Sequence, residues 1–421
     1  MKKLNFEVTR NLLFIFELIS LSLIFLFNWP NIDKNTIYIS LGLIGLVYVS
    51  NILLFKLSKG DHYIFLIVCM LMSIGVIMIY RIDQALGLRQ LKWLYIGIIS
   101  FFITYVLFKS YNRWSNHFNL YLAASYILFF GTLIFGFSTH GSIRWISIGG
   151  ISFQPSELIK IIFIFILACI YSDNSFMSKP KITKYKELVT MMLVYSFIAI
   201  LFIQRNLGAS VVFFAIYLGI QYIYAEDNKY AILNIFLFAV GGTIGYFLFD
   251  HVKIRFLTWL NPWEYIDTIG YQITQSLFAI AEGGFFGTGV GRGHPNFIPL
   301  AYNDFIFSAI VEEMGIFTGI AIVMLYMILV YRGFKIALKQ KDVFYRIISI
   351  GISLLLGIQT FIIIGGVIKL IPLTGLTLPF VSYGGTSILT SFIALGILQG
   401  ASEKEIYGGS KNEWCWKEKN T

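Results

Sequence analysis

Charged residues are scarce in this chain. They make up 13% of its 421 residues, whereas hydrophobic types make up 57%. A water-soluble domain carries roughly a quarter charged residues. So few charges cannot cover a water-exposed surface, which excludes a soluble globular protein. We therefore expect an all-α integral membrane protein, since a helix satisfies its backbone hydrogen bonds internally within lipid.

Residues that build disulfides and metal centres are also rare, with 3 cysteines and 5 histidines. Cys69, Cys169 and Cys415 show no paired spacing, which argues against a disulfide framework or a zinc site. The histidines are scattered along the chain and none has ligand spacing. The sequence therefore predicts no transition-metal site.

Long apolar stretches are abundant instead. A membrane-spanning helix needs about 20 apolar residues, and by that measure the chain holds about twelve such helices. Lys and Arg lie in roughly two-to-one excess on the side that holds both chain ends, which predicts cytoplasmic N- and C-termini. We attribute the net charge of +10 to this bias and expect no nucleic-acid partner.

The outer segment 251–303 is much longer than the other predicted loops. Its residues Trp259 and Trp263 suit the membrane interface. Residues 270–282 have the apolar spacing of a short helix that could lie flat on the membrane. A glycine-rich run follows at 283–293, and its spacing matches neither a Walker loop nor a dinucleotide-binding fingerprint. Without Cβ atoms, this run can turn tightly and let other groups approach closely.

The first polar cluster lies between residues 141 and 160. It contains Arg144, Trp145, Gln154, Pro155, Glu157 and Lys160. Proline suits the first turn of a helix, and an acidic residue suits the positive end of the helix dipole. Lys160 would then sit about one turn inside the membrane, where a lysine needs a partner or water. Glu157 is three residues away on the same face, and spacing alone slightly favours a structural pair over ligand binding.

Two further clusters contain acidic or basic side chains. Arg205 lies in a short polar turn at 204–208, which by itself is typical of a tight connection. Asp304 opens the tenth predicted span, and Asp304, Ser308 and Glu312 recur every fourth residue along one stripe. Glu312 would lie two turns deep, so we expect Lys160 or Arg205 as its partner, or an ion path.

The fourth cluster is the segment 365–387, in which two prolines and several glycines interrupt the helix. It contains Lys369 and Ser382. Irregular backbone at membrane depth is tolerated only against protein or a wet cavity, so we expect a re-entrant feature beside a site.

All four clusters fall on the predicted outer face. They bring several cations toward the single carboxylate of Asp304. These cations are Arg144, Lys160, Arg205, Arg255, Arg292 and Lys369. Cations and one carboxylate at a membrane surface suit an anionic, lipid-linked substrate.

The clusters, in this order, resemble the SEDS family of shape, elongation, division and sporulation proteins (RodA, FtsW and SpoVE). The matching segments are GSIRWISIGGISFQPSELIK, QRNLGAS, GYQITQSLFAIAEGGFFGTGVGRG, NDFIFSAIVEEMG and IPLTGLTLPFVSYGGTS. The resemblance covers residues 65 to 400. It implies two extra N-terminal transmembrane helices at 1–60, a ten-helix core at 61–400 with the large extracytoplasmic loop 251–303, and a cytoplasmic tail at 401–421.

The resemblance also implies a function. The family polymerises lipid II, the undecaprenyl-diphosphate-linked disaccharide-pentapeptide, on the outer face of the bacterial cytoplasmic membrane. It does so during elongation, division or sporulation, with a class B penicillin-binding protein as transpeptidase partner. Two rival functions stay open from the residues alone, namely a lipid II flippase and an inactive scaffold for the transpeptidase.

Residue roles follow from the same resemblance. Asp304 matches the catalytic aspartate of the family. The residues expected to bind substrate are Arg144, Trp145, Glu157, Lys160, Arg205, Lys369 and Ser382, and those expected to act in structure or coupling are Glu312, Gln154 and Pro155. The chain departs from the family motifs at Tyr302 and Asn303, where His-Thr is usual, and at Asn206, where aspartate is usual. A divalent cation, Mg²⁺ or Mn²⁺, could assist, although the sequence shows no protein ligand cage.

Overall fold

A computed structural model describes residues 2–27, 33–139, 141–172, 186–225 and 229–408. Part of the predicted charge bias, at Lys179, Lys181 and Lys184, lies outside the described residues. The tail from residue 409 onward, with Cys415, also lies outside them.

The described part of the chain contains fourteen α-helices. They are α1 Lys2–Phe27, α2 Lys34–Leu57, α3 His62–Ile82, α4 Gln84–Ser110, α5 Phe118–Phe135, α6 Pro155–Tyr171, α7 Lys186–Ile203, α8 Leu207–Tyr224, α9 Lys229–Leu248, α10 Asp250–Leu260, α11 Tyr271–Gly283, α12 Ile306–Lys339, α13 Val343–Val367 and α14 Gly385–Gly408. Single-turn 3-10 helices lie at Trp114–Asn116, Pro262–Tyr265 and Pro295–Phe297.

The predicted all-α membrane architecture is confirmed, with a smaller number of spans. Ten of these helices are long and apolar enough to cross a membrane. The remaining two apolar stretches, α1 and α6, are also helical, and α6 has only 17 residues. The count among the described residues is therefore ten candidate spans rather than about twelve.

The chain divides into two compact units. The first comprises residues 1–102, 256–329 and 359–395. Within it, α1 and α2 pack against α3, which is apolar on every side and is 89% buried over its spanning stretch. The buried Glu17 of α1 accepts a 2.6 Å hydrogen bond from the Ser73 hydroxyl of α3, so this intramembrane carboxylate has a partner helix.

The second unit comprises residues 103–255, 330–358 and 396–421. Its helix α6 is nearly all buried and packs on α5 and α8. Pro155 occupies the first turn of α6, as predicted, because a helix start leaves its backbone N–H without an intrahelical acceptor.

The second unit also contains a small sheet that the sequence analysis treated as a loop. Strands β1 Phe137–Thr139, β2 Ser142–Ile148 and β3 Ile151–Phe153 pair antiparallel in that order. Gly149 and Gly150 form the two-residue connection between β2 and β3, with φ of 59° and 81°. A primed hairpin turn requires positive φ at both positions, and glycine adopts it without steric cost.

Helix α12 is broken near its start, in the part that belongs to the first unit. Gly315 has φ 82° and ψ 169°, which divides the element into a short helix 306–314 and a long one from 316 onward. A Cβ on Gly315 would lie 2.4 Å from the Phe285 carbonyl oxygen and 2.5 Å from the Gly287 nitrogen. The glycine-rich run therefore packs directly against the break.

Candidate functional site

In the second unit, the hairpin and the α7–α8 turn are joined by main-chain contacts. The Ile143 N–H donates a 3.0 Å hydrogen bond to the Gln204 carbonyl. The Gln204 side chain donates in turn to the Phe129 carbonyl of α5, at 3.2 Å. Arg144 and Arg205 each follow one of the two residues joined by the main-chain bond. The backbones of these two predicted substrate-binding residues are therefore held by the same hydrogen bond. Trp145 pairs with Phe137 across the sheet.

Arg205 occupies a backbone position that normally belongs to glycine. Its φ is 57°, its N–H donates to the Phe202 carbonyl, and the Asn206 N–H donates to the Leu201 carbonyl. These two bonds define a Schellman motif, with Arg205 as the left-handed residue after the helix. The left-handed conformation costs a residue with a Cβ roughly 1–2 kcal/mol. The guanidinium carbon lies 5.7 Å from the Phe249 ring centroid.

In the first unit, Lys369 occupies the same type of position. Its φ is 62°, its N–H donates to the Gly366 carbonyl, and the Leu370 N–H donates to the Gly365 carbonyl. Its own carbonyl accepts a 3.1 Å bond from the Trp259 indole N–H. Its Nζ lies 3.5 Å from the Leu260 carbonyl at the C-terminal end of α10, the end that favours a cation.

Glu157 and Lys160 form an ion pair inside the second unit. Lys160 Nζ lies 2.9 and 2.8 Å from the two Glu157 carboxylate oxygens. The Lys160 side chain is only 1% exposed. The structural pair that the spacing favoured is therefore confirmed, while a substrate contact for either residue stays a prediction.

The start of α6 also engages the α7–α8 turn. Ser156 Oγ accepts hydrogen bonds from Gln154 Nε2 at 3.1 Å and from Asn206 Nδ2 at 3.4 Å. The amide of Asn206 can donate this bond, whereas an aspartate at that position could donate only if protonated. This departure from the family motif is thus accommodated by a neutral contact.

Asp304 of the first unit lies in a turn just before α12, which begins at Ile306. The predicted stripe is therefore wrong in part, since only Ser308 and Glu312 belong to the helix. Asp304 is half-buried and precedes the positive end of the helix dipole. The residues before it are anchored, because the Tyr302 carbonyl accepts a 2.9 Å bond from the Tyr383 N–H.

Ser382 provides the second anchor. Its hydroxyl donates a 2.7 Å bond to the Asn303 carbonyl and accepts a 2.9 Å bond from the Leu378 N–H. Its own carbonyl accepts a bond from the Gln90 side chain. Ser382 is 2% exposed, so the structure gives it a positioning role toward Asp304, and its substrate contact stays a prediction.

Glu312 has a main-chain partner, while the expected pairing with Lys160 or Arg205, or an ion path, stays a prediction. One Glu312 carboxylate oxygen accepts a hydrogen bond from the backbone N–H of His294, at the end of the glycine-rich run. A backbone N–H forms a charge-assisted hydrogen bond with a carboxylate, and charge patterns along a sequence do not reveal such donors.

The adjacent Glu313 was missed by the sequence analysis. Its carboxylate accepts a 3.0 Å bond from the Gly291 N–H and lies 3.4 Å from Arg81 Nε. Arg81 also donates a 2.8 Å bond to the Gly291 carbonyl. These contacts tie α3, the glycine-rich run and the short helix of α12 together.

Comparison with known proteins identifies the family. Residues 61–407 match the FtsW, RodA and SpoVE family, described as cell cycle proteins. The chain is 34% identical to the peptidoglycan glycosyltransferase RodA of Mycobacterium tuberculosis over 80% of this chain and 77% of the relative. It is 33% identical to the stage V sporulation protein E of Bacillus subtilis over 84% and 99%.

A solved structure has the same fold. It is a chain of a peptidoglycan synthase complex studied for its coordination of polymerization and crosslinking. The TM-score is 0.69 at 23% identity, covering 82% of this chain and 98% of that chain. The matched family region begins after α1 and α2.

Proposed function

Because the chain belongs to the FtsW, RodA and SpoVE (SEDS) family of peptidoglycan glycosyltransferases, we propose that it polymerises lipid II on the outer face of the membrane. It is a multi-pass protein of the bacterial cytoplasmic membrane. The observation that carries the proposal is the placement of Asp304. Its half-buried carboxylate lies at the start of a helix, and the residues before it are fixed by Ser382 and Tyr383.

We assign Asp304 as the general base. It takes the proton from the 4-hydroxyl of the acceptor N-acetylglucosamine, and that oxygen attacks the anomeric carbon of the donor N-acetylmuramic acid. The new glycosidic bond forms as the bond to the diphosphate breaks. Attack opposite to the leaving group inverts the anomeric configuration, and undecaprenyl diphosphate departs with the electron pair.

Cations stabilise this leaving group. Arg144 and Arg205 are best suited, because a guanidinium binds phosphate oxygens in bidentate fashion. Lys160 is less suited, since Glu157 already compensates its charge. Lys369 is held at the end of α10 and contributes a further positive charge.

A divalent cation would add charge neutralisation at the diphosphate. Mg²⁺ is commonly held by one or two carboxylates together with substrate phosphates, and Asp304 could supply the protein ligand. Among the described residues, no group of three or more His, Cys, Asp or Glu side chains is arranged to hold a metal. The proposed cation would therefore depend mainly on substrate oxygens.

The orientation and the partner belong to the same proposal. The Lys and Arg bias supports cytoplasmic termini, which puts Asp304 on the outer side. We propose a class B penicillin-binding protein as transpeptidase partner, supported by the fold shared with a chain of a peptidoglycan synthase complex. Helices α1 and α2 precede the matched family region. We propose that they add two spans to a ten-helix core, which requires α1 and α6 to cross the membrane in addition to the ten candidate spans.

The flippase alternative is less well supported. It requires Lys160 and Glu312 to line a polar path, yet Glu157 and the His294 backbone already engage them. The discriminating experiment incubates the purified protein in detergent with lipid II and the transpeptidase partner, and measures the glycan strands formed. Glycan strands formed without a bilayer support the polymerase, and their absence from folded wild-type protein counts against it.

A further inference from the structure

A basic cluster in the second unit extends beyond the residues assigned above. Phe249 connects its members, because the Arg205 guanidinium lies over the Phe249 ring at 5.7 Å. The imidazole of His251 stacks on the same ring, with centroids 5.6 Å apart and planes 28° apart. His251 is half-buried in the first turn of α10.

Three arginines from three segments act electrostatically on His251. Arg144 comes from β2, Arg205 from the α7–α8 turn, and Arg255 lies one helical turn further along α10. Asp250, which is exposed, is the carboxylate of this group. The pKa of His251 is lowered, first by burial and then by Arg255, Arg205 and Arg144, while Asp250 acts in the opposite direction.

This arrangement costs free energy in two ways. Like charges are gathered around a half-buried ring, and Arg205 also occupies a left-handed position that glycine would fill without strain. Strained residues cluster where the surrounding structure holds them for binding. A bound anion would turn this electrostatic repulsion into attraction.

We propose that His251, Arg144, Arg205 and Arg255 form an acid-sensitive binding site for the phosphate group of a lipid-anchored molecule. When the bound group is the diphosphate of the glycosyl donor, the site is part of the proposed function, and the proposal then rests on that function. The phosphodiester headgroup of an anionic phospholipid has the same chemistry and is separated from the donor by the test below.

The pH dependence follows from linkage. In the free protein, burial and the three arginines lower the pKa of His251, which favours its neutral form. A bound anion favours imidazolium and raises that pKa, so binding takes up a proton. Affinity therefore rises as the pH falls through the bound-state pKa and levels off below the free-state pKa. Each unit of difference between the two values corresponds to about tenfold in affinity.

The test measures binding separately from polymerisation. The full chain with Asp304→Asn, in phosphatidylcholine nanodiscs, is titrated with fluorescent lipid II in one arm and phosphatidylglycerol in the other, between pH 8 and pH 5.5. Lipid II carries a diphosphate esterified at both ends and phosphatidylglycerol a phosphodiester, so neither phosphate group changes charge in this range. The variants are His251→Gln, His251→Arg and the control Lys253→Gln, which removes an exposed charge from the same helix.

We expect a roughly fivefold to tenfold gain in affinity on acidification, corresponding to about one pKa unit. The gain should disappear in His251→Gln, become pH-independent tight binding in His251→Arg, and persist in Lys253→Gln. If the affinity for lipid II rises as the pH falls, the bound group is the donor diphosphate. If only the affinity for phosphatidylglycerol rises, the bound group is the phospholipid headgroup. The proposal is overturned if folded His251→Gln keeps the same pH dependence of affinity, or if the affinity for neither probe depends on pH. Lack of glycan synthesis by the wild type would contradict the proposed function without affecting this result.

Discussion

Replacing Arg205 by glycine separates strain from charge at the candidate site. Arg205 has φ 57° at the left-handed position of a Schellman motif. Glycine removes about 1–2 kcal/mol of left-handed strain and restores about 0.4–1 kcal/mol of unfolded-state entropy, which opposes folding. The matched change to alanine keeps the strain. Both variants lose the contact with Phe249, worth about 0.5–1 kcal/mol at an exposed site.

The difference between the two variants is therefore about 1 kcal/mol in the free energy of unfolding, with glycine the more stable. Thermal unfolding in one detergent should give Arg205→Gly the higher Tm. Glycan synthesis should fall similarly in both, because both lose the guanidinium. Lower stability of the glycine variant, or wild-type polymerisation by it, would refute the claim that strain is held here for charge placement.

Three further changes test the framework around Asp304. Gly315→Ala should unfold the protein or abolish expression, because its Cβ would meet backbone atoms at 2.4 Å. The control Gly289→Ala is also at positive φ but faces only a side chain at 3.5 Å, so it should lower the melting temperature in detergent less. Ser382→Ala should cost about 1–3 kcal/mol and lower kcat with little change in KM; a rise in KM alone would indicate substrate binding instead. Arg81→Met should cost about 3–5 kcal/mol by leaving the carboxylate of Glu313 without its cation, and recovery of stability in the double variant with Glu313→Gln would identify the pair as the cause.

The helices were predictable from the sequence, because long apolar runs in lipid have few alternatives to a helix. The Glu157–Lys160 pair was predictable for a similar reason, since both residues lie on one helix at fixed spacing. The hairpin at Gly149-Gly150 has a readable signal in the sequence, since a glycine pair lies there between short alternating segments.

Other features depended on contacts between distant segments. Glu312 binds the backbone N–H of His294, directly after the glycine-rich run, and no pattern of charges reveals a backbone donor. The break at Gly315 was also hidden, because a glycine within an apolar run is usually tolerated in a helix. The basic cluster at His251 arises because β2, the α7–α8 turn and α10 converge, which spacing along the chain does not predict.

Asp304→Asn tests the central claim most directly. The measurement is single-turnover glycan synthesis from lipid II in detergent by purified wild type, Asp304→Asn and the control Asp267→Asn, which changes an exposed carboxylate in the 251–303 segment. All three should show the same melting temperature. We predict a loss of roughly 10²–10⁴-fold in rate for Asp304→Asn, the range of a general base, and an unchanged rate for the control. A folded Asp304→Asn protein that polymerises lipid II at the wild-type rate would contradict the account.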